Sequence, residues 1–271
     1  MKVIHFAHTS TGAPARSSVL ASSFGADRRW AYGDLSGRGV RVCVIDSGVD
    51  GDHPEIGPLA GSFVAGWSDG ACVLESESPV DVGGHGTACA GIIRRMAPAC
   101  EITSIRVLGA NNRGNGDVLL GALTWAVEQE FDLVNLSLST QRHALKEGMH
   151  DLADAAWFRS VTIVAAAHNL PVDSYPWRFS SVLSVGSHHR PDPEWVEANP
   201  RPPVDFFGSG VQVPVPWVGG SVRTASGNSF ATPHIVGMCA RIKAAHPTAS
   251  TTEIRHILAS VADNQVVDQC S

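Results

Sequence analysis

The run Val40-Arg41-Val42-Cys43-Val44-Ile45 lies between Gly37-Arg38-Gly39 and Asp46-Ser47-Gly48. So short a β-branched run, apolar almost throughout, is the pattern of a strand buried on both faces of a parallel sheet. Such a strand needs neighbours of its own kind and helices on both sides. Further apolar runs at 102–108, 133–138, 161–167 and 182–185 alternate with helical spacing at 118–130 and 144–156. The expectation is an α/β fold in three layers, a mostly parallel central sheet flanked by helices. With 271 residues, 44% of them hydrophobic, the chain can bury one large core, and no linker or charge block divides it.

Three polar residues stand at the ends of these elements. Asp46 closes the first strand, at the carboxyl edge where open α/β sheets gather catalytic groups, although an Asp there could equally cap the next turn. A stretch rich in turn and acidic residues (Asp69, Glu75, Glu77, Asp81) follows and reads as loop. In Gly83-Gly84-His85-Gly86-Thr87-Ala88-Cys89-Ala90-Gly91-Ile92-Ile93, His85 opens a helix of small residues, with glycines that leave its ring accessible. Taken alone, that His is more simply a structural or surface residue. In Gly227-Asn228-Ser229-Phe230-Ala231-Thr232-Pro233-His234, Ser229 opens a helix whose apolar spacing continues to Ala245. Free N–H groups and a positive dipole there would stabilise negative charge beside Ser229, and Pro233 is expected in the first turn, where a missing N–H is no loss. An ordinary N-cap would also explain Ser229 alone.

Together the three residues say more than any one of them. A serine hydroxyl becomes a nucleophile when an imidazole takes its proton, and that imidazole needs a carboxylate to hold its tautomer and stabilise the imidazolium. The chain order Asp, His, Ser is one of the known orders for acyl transfer by this constellation.

Composition removes other classes of function. A formal net charge of -6 and no nucleic-acid motif argue against a nucleic-acid partner. No run reaches the about 18 apolar residues of a membrane span, and Met1-Lys2-Val3-Ile4-His5-Phe6-Ala7-His8 lacks the apolar core of a secretion signal, so a cytoplasmic location is expected. Of six cysteines, Cys43, Cys89 and Cys239 lie in apolar segments and read as buried thiols, whereas a disulfide among Cys72, Cys100 and Cys270 stays open. The N-terminal part is irregular to the eye, except that residues 27–32 could form a helical turn capped at Gly33.

The chain resembles the subtilisin-like serine proteases, the subtilases. Val44-Ile45-Asp46-Ser47-Gly48-Val49-Asp50 with His53-Pro54 resembles their aspartate motif, Gly84-His85-Gly86-Thr87 with Cys89-Ala90-Gly91 the histidine motif, and residues 227–234 the serine motif. Arg106-Val107-Leu108-Gly109-Ala110, Val134-Asn135-Leu136-Ser137-Leu138, residues 165–169 and Tyr175-Pro176 extend the similarity over roughly 37 to 260. The resemblance implies a subtilisin-like fold, with residues 1–36 an N-terminal extension and 37–271 the catalytic domain.

It also implies roles. Asn169 matches the asparagine whose amide helps form the oxyanion hole, a donor worth about 3–4 kcal/mol, with the backbone N–H of Ser229 as the second donor. Ser137-Leu138-Ser139 and the segment around Asn112 to Gly116, Gly114 included, match edges that pair with an extended polypeptide substrate. Tyr175-Pro176 matches a pair often found cis. Cys89 stands four residues after His85, on the same helix face, and resembles the cysteine of thiol-containing subtilases; it is read as packing rather than nucleophile.

The departures are as informative. His168 stands where the family usually has glycine before the asparagine, and Ser139 replaces a glycine on the facing wall. Both add bulk, so a narrowed or polar pocket is expected for the residue before the cut, with His168 and Ser174 near it. The short path 94–102 leaves no room for the loop that holds calcium in many secreted relatives; Asp50, Asp52 and Glu55 then read as solvated or capping acids, and no metal or cofactor is expected. Only about 37 residues precede the first strand, little for a folding pro-domain, though one removed by cleavage is the plainer alternative.

The expected activity is that of a serine endopeptidase that processes a specific peptide or protein. Two alternatives stay open: a catalytically silent peptide-binding module, its pocket filled by His168 and Ser139, and a variant that passes the acyl group to an amine and so ligates or cyclises peptides.

Overall fold

The structure, a computed structural model, describes residues 27–111 and 113–265. In chain order its elements are α1 (Arg28–Tyr32), β1 (Arg41–Asp46), β2 (Gly61–Ser68), β3 (Ala71–Ser76), α2 (His85–Met96), β4 (Glu101–Arg106), α3 (Gly116–Glu128), β5 (Leu133–Leu136), α4 (Lys146–Phe158), β6 (Thr162–Ala166), β7 (Leu183–His188), β8 (Glu197–Ala198), β9 (Phe206–Ser209), β10 (Val213–Trp217), β11 (Ser221–Ala225), α5 (Asn228–Ala245) and α6 (Thr251–Ser260). The apolar runs of the sequence are β1, β4, β5, β6 and β7, and the helical spacings are α3, α4 and α5.

These strands form one nine-stranded sheet in the order β3-β2-β4-β1-β5-β6-β7-β9-β8. Only the edge pairs β2–β3 and β8–β9 are antiparallel; from β2 to β9 every pairing is parallel. The side-chain period of two sorts β1 between the layers on either side. Val42 and Val44 join the core under α2, α5 and α6, whereas Cys43 and Ile45 join the core under α3 and α4. Three layers result, as the patterning predicts.

Helix α5 is apolar nearly all round because it is enclosed nearly all round, by β5, β6, β7 and β9 beneath and by α1, α2 and α6 beside it. The helical turn expected at 27–32 is α1, capped by Asp27, whose carboxylate accepts the N–H of Trp30 at 2.7 Å. Its Ala31 and Tyr32 enter the α5 core. Residues 1–26, most of the expected N-terminal extension, lie outside the described residues, as do Asn112 and Cys270.

Two readings need correction. The stretch read as loop between Asp46 and His85 contains the hairpin β2–β3, closed by Asp69-Gly70 with φ of 51° and 80°. Ser68 pairs with Ala71, so this is a two-residue turn with both central residues left-handed, the geometry that matches strand twist and favours Asp-Gly. Pro233, placed by the sequence in the first turn of its helix, lies further inside α5, which begins at Asn228. Cys43, Cys72, Cys89, Cys100 and Cys239 are free thiols, and the Tyr175–Pro176 bond is cis.

Candidate active site

Asp46 ends β1 with no exposed surface, and His85 begins α2. Both carboxylate oxygens of Asp46 lie 2.9 Å from His85 Nδ1. A carboxylate can only accept, so Nδ1 carries the proton and Nε2 is left without one in the neutral ring. Burial opposes the charged form of His85, but the Coulomb attraction of Asp46 and its hydrogen bond outweigh this and hold the imidazole well above its ordinary value. The backbone N–H of Ser47 donates to Asp46 Oδ1 at 2.7 Å, fixing the carboxylate in turn.

Ser229 stands in the first turn of α5. A residue at position i donates its N–H to the carbonyl at i−4, so Pro233 leaves the carbonyl of Ser229 without its helical donor. Side chains replace it: Ser137 Oγ donates to that oxygen at 2.8 Å, and the Cys89 thiol lies 3.6 Å from it. Cys89 Sγ is also 3.9 Å from His85 Nδ1 and from Asp46 Oδ2, so one buried thiol touches the Asp–His pair and the backbone of Ser229 together. Burial pushes that thiol up, which keeps it protonated and poorly nucleophilic. The ring of Phe230, next to Ser229, lies 5.1 Å from that of His85.

Gly227 precedes this turn with φ of 153° and ψ of 161°, a conformation essentially reserved for glycine. A Cβ there would lie 3.3 Å from Asn169 Nδ2 and 3.4 Å from Ser229 Oγ, so the amide and the hydroxyl crowd the same glycine. The orientation of the amide is set by its other end: Asn169 Oδ1 accepts the N–H of Asn228 at 2.9 Å, which leaves Nδ2 to donate into the cavity.

That cavity, about 200 Å³, is lined by Ser137, Leu138, Ser139, Ala166, Ala167, His168, Asn169 and Ser229. His168 is half-buried, its Nδ1 accepting the N–H of Leu170 at 3.0 Å. Gly114 lies in an adjoining cavity of about 310 Å³ that shares Leu138 and Ser139 and also contains Leu108, Arg113 and Thr140. Ser174, expected beside the first cavity, does not line it. It is fully buried, accepts the Trp177 indole N–H at 2.9 Å and the Ser139 hydroxyl at 3.1 Å, and so acts on the wall only through Ser139.

The subtilase family pattern matches residues 37–270. The chain belongs to the subtilase family. It is 30% identical to Subtilisin BL of Lederbergia lenta over 84% of this chain and 85% of that protein. Among solved structures, a cold adapted subtilisin-like serine proteinase superposes with a TM-score of 0.66 at 24% identity, covering 87% of this chain and 94% of its own. The S41 psychrophilic protease superposes with a TM-score of 0.71 at 22% identity, covering 90% and 91%. Membership makes this chain a serine-type endopeptidase, a hydrolase acting on polypeptides.

In this subtilase several supporting residues are given no role by the sequence alone. Asp81 is one: its buried carboxylate accepts the Ser47 hydroxyl at 2.7 Å, the N–H groups of Gly83 and Gly84 at 2.8 and 2.7 Å, and the Thr87 N–H and hydroxyl at 2.8 and 2.6 Å. It thereby caps the start of α2 and aims His85, although it reads as one more acid in a turn. Asn228 is another, tying α5 to β7 and β6 through Ser187 and the carbonyl of Ala167. Asp50 accepts the N–H groups of Asp52 and Gly219, and Glu55 pairs with Arg95. Asp46, His85 and Cys89 bring three donor types within 4.8 Å of one another, where a soft metal ion would take up the Asp46–His85 pair itself.

Proposed function

We propose that this subtilase hydrolyses peptide bonds with Ser229 as nucleophile, His85 as general base and acid, Asp46 as the group that orients His85, and Asn169 as oxyanion donor. Ser229 Oγ attacks the scissile carbonyl as Nε2 of His85 takes its proton. The oxyanion is met by Asn169 Nδ2 and the backbone N–H of Ser229. His85 returns the proton to the leaving amine, and water releases the acyl group by the same path. The observation that carries this reading is that Asn169 and Ser229 line one cavity, with Asn169 Nδ2 and Ser229 Oγ both close to Gly227, in a chain whose His85 Nδ1 is committed to Asp46.

The substrate is an extended polypeptide, and the residue before the cut is small or polar. Ser139 and His168 face the cavity with side chains where backbone alone would leave more room, and the Ser139–Ser174–Trp177 chain of hydrogen bonds stiffens one wall. A role in processing a particular peptide suits so restricted a site. Among the described residues no helix is long and apolar enough to cross a membrane. A cytoplasmic location is part of the proposal and suits the five free thiols.

Mass spectrometry after incubation with a fluorophosphonate probe tests the assignment, since only an activated serine reacts. A single adduct on Ser229, absent from Ser229→Ala, is expected. Folded protein that takes no label would favour a peptide-binding relative without catalysis.

A further inference from the structure

Proton return from His85 places the leaving segment of the substrate on the His85 side of Ser229, away from the wall of Ser139 and Asn169. The hairpin β10–β11 borders that side. Val213 and Val215 pack with Ala88, Ile92 and Phe230, and Trp217 covers the start of α2. Its indole approaches Gly84 so closely that a Cβ there would lie 2.2 Å from the ring, and Gly84, with φ of 83°, directly precedes His85.

Register places a cation beside this ring. Val215 pairs with Arg223 and Trp217 with Ser221, so Trp217 and Arg223 are diagonal neighbours on one face of the hairpin. The Arg223 guanidinium lies 4.7 Å from the centre of the Trp217 ring. Arg223 is exposed, and among the described residues this ring is its partner; no carboxylate pairs with it. Asp50, the acid that meets the hairpin tip, spends its oxygens on the N–H groups of Gly219 and Asp52. From Arg223 the chain leaves β11 at Ala225 and reaches Gly227 and Ser229 at the start of α5.

Resting on the peptidase reading above, we propose that Trp217 and Arg223 form a recognition ledge for the leaving segment, selecting an acidic side chain within the first three residues after the scissile bond. An extended segment advances about 3.3–3.6 Å per residue, so three residues reach about 10 Å beyond the cut, over Gly84 and the indole. The indole face holds the guanidinium plane in place, which leaves its outward N–H fork free for a carboxylate. On a chain of net charge -6, such an unpaired cation is a local attractor for an acidic group.

The test uses internally quenched peptides that share the residues before the cut and carry Glu, Gln or Lys at each of the three positions after it. The quantity compared is the ratio of kcat/KM for Glu over Lys within one enzyme preparation, which does not depend on how much of the preparation is active. Wild type is expected to favour Glu by about fivefold at low ionic strength, less in high salt, because the pair is exposed. Arg223→Glu should reverse the preference and Arg223→Gln bring the ratio near one. A wild-type ratio near one, or the same ratio in all three proteins, would overturn the ledge. Fluorophosphonate labelling of Ser229 is run on each preparation: a variant that does not label is set aside and the other variant decides. If wild type neither labels nor cuts any peptide, the peptidase reading itself fails, and the ledge with it.

Discussion

Ser137 Oγ donates to the main-chain carbonyl of Ser229 at 2.8 Å, in the place of the helical N–H that Pro233 lacks. A residue after β5 that lines the cavity is thereby tied to Ser229, and Asn135 Nδ2 supports it from behind by donating to the same hydroxyl at 3.1 Å. Ser137→Ala would leave the carbonyl with only the weak Cys89 thiol. The expected loss is about 1–3 kcal/mol of stability, read by chemical denaturation, together with a fall in kcat. Unchanged stability would mean that water takes over the carbonyl.

Asn169→Asp separates the two ends of the amide. The acceptor for the N–H of Asn228 remains, while the donor proposed for the oxyanion becomes another acceptor. We expect kcat to fall by about 10²–10³ with little change in KM. A parallel rise in KM would indicate a ground-state binding role instead.

The pH profile follows from the Asp46–His85 pair. His85 must be neutral to take the proton of Ser229, and Asp46 holds its imidazole above the ordinary 6.5 despite burial. The rise of kcat/KM with pH should therefore have its midpoint above 6.5. Asp46→Asn should move that midpoint down as well as reduce the rate. A wild-type midpoint at or below 6.5 would contradict the pairing.

Ser139→Gly removes the side chain that bonds Ser174 and narrows the cavity. Relative kcat/KM for a large aromatic over a small residue before the cut should increase by about tenfold, the value of a small change in pocket volume. Equal selectivity in the two proteins, measured on a peptide set varied at that position, would remove Ser139 from the pocket wall.

His234 is expected to weaken the fold in acid. Burial lowers its imidazole from 6.5 to about 4, so between those values the unfolded chain binds a proton that the native protein does not. Stability then falls as pH drops through that window, by about 3 kcal/mol from this residue. His85, whose native value is raised, acts in the opposite sense: its contribution is present below its unfolded value and fades as pH rises through the native one. Denaturation midpoints of wild type and His234→Gln between pH 4 and 6.5 should converge as pH falls.

Local patterning determined a good deal of this molecule. A strand buried on both faces is apolar along most of its length, so β1, β4, β5, β6 and β7 were readable from the chain, with Asp46, His85 and Ser229 at the ends of readable elements; Asn169 was singled out only by the resemblance to the subtilases. Asp69-Gly70 marked the β2–β3 turn as plainly, but the acids around it drew the reading toward a loop. Only the tertiary structure decided the support of the site. Asp81 lies 35 residues from Asp46 yet aims His85, Cys89 touches both His85 and Ser229, Ser174 sits behind Ser139, and Arg223 stacks on Trp217 beside Gly84. Each of these depends on distances between elements brought together by packing. Helical and strand periods say which face a residue occupies and leave open what stands opposite it.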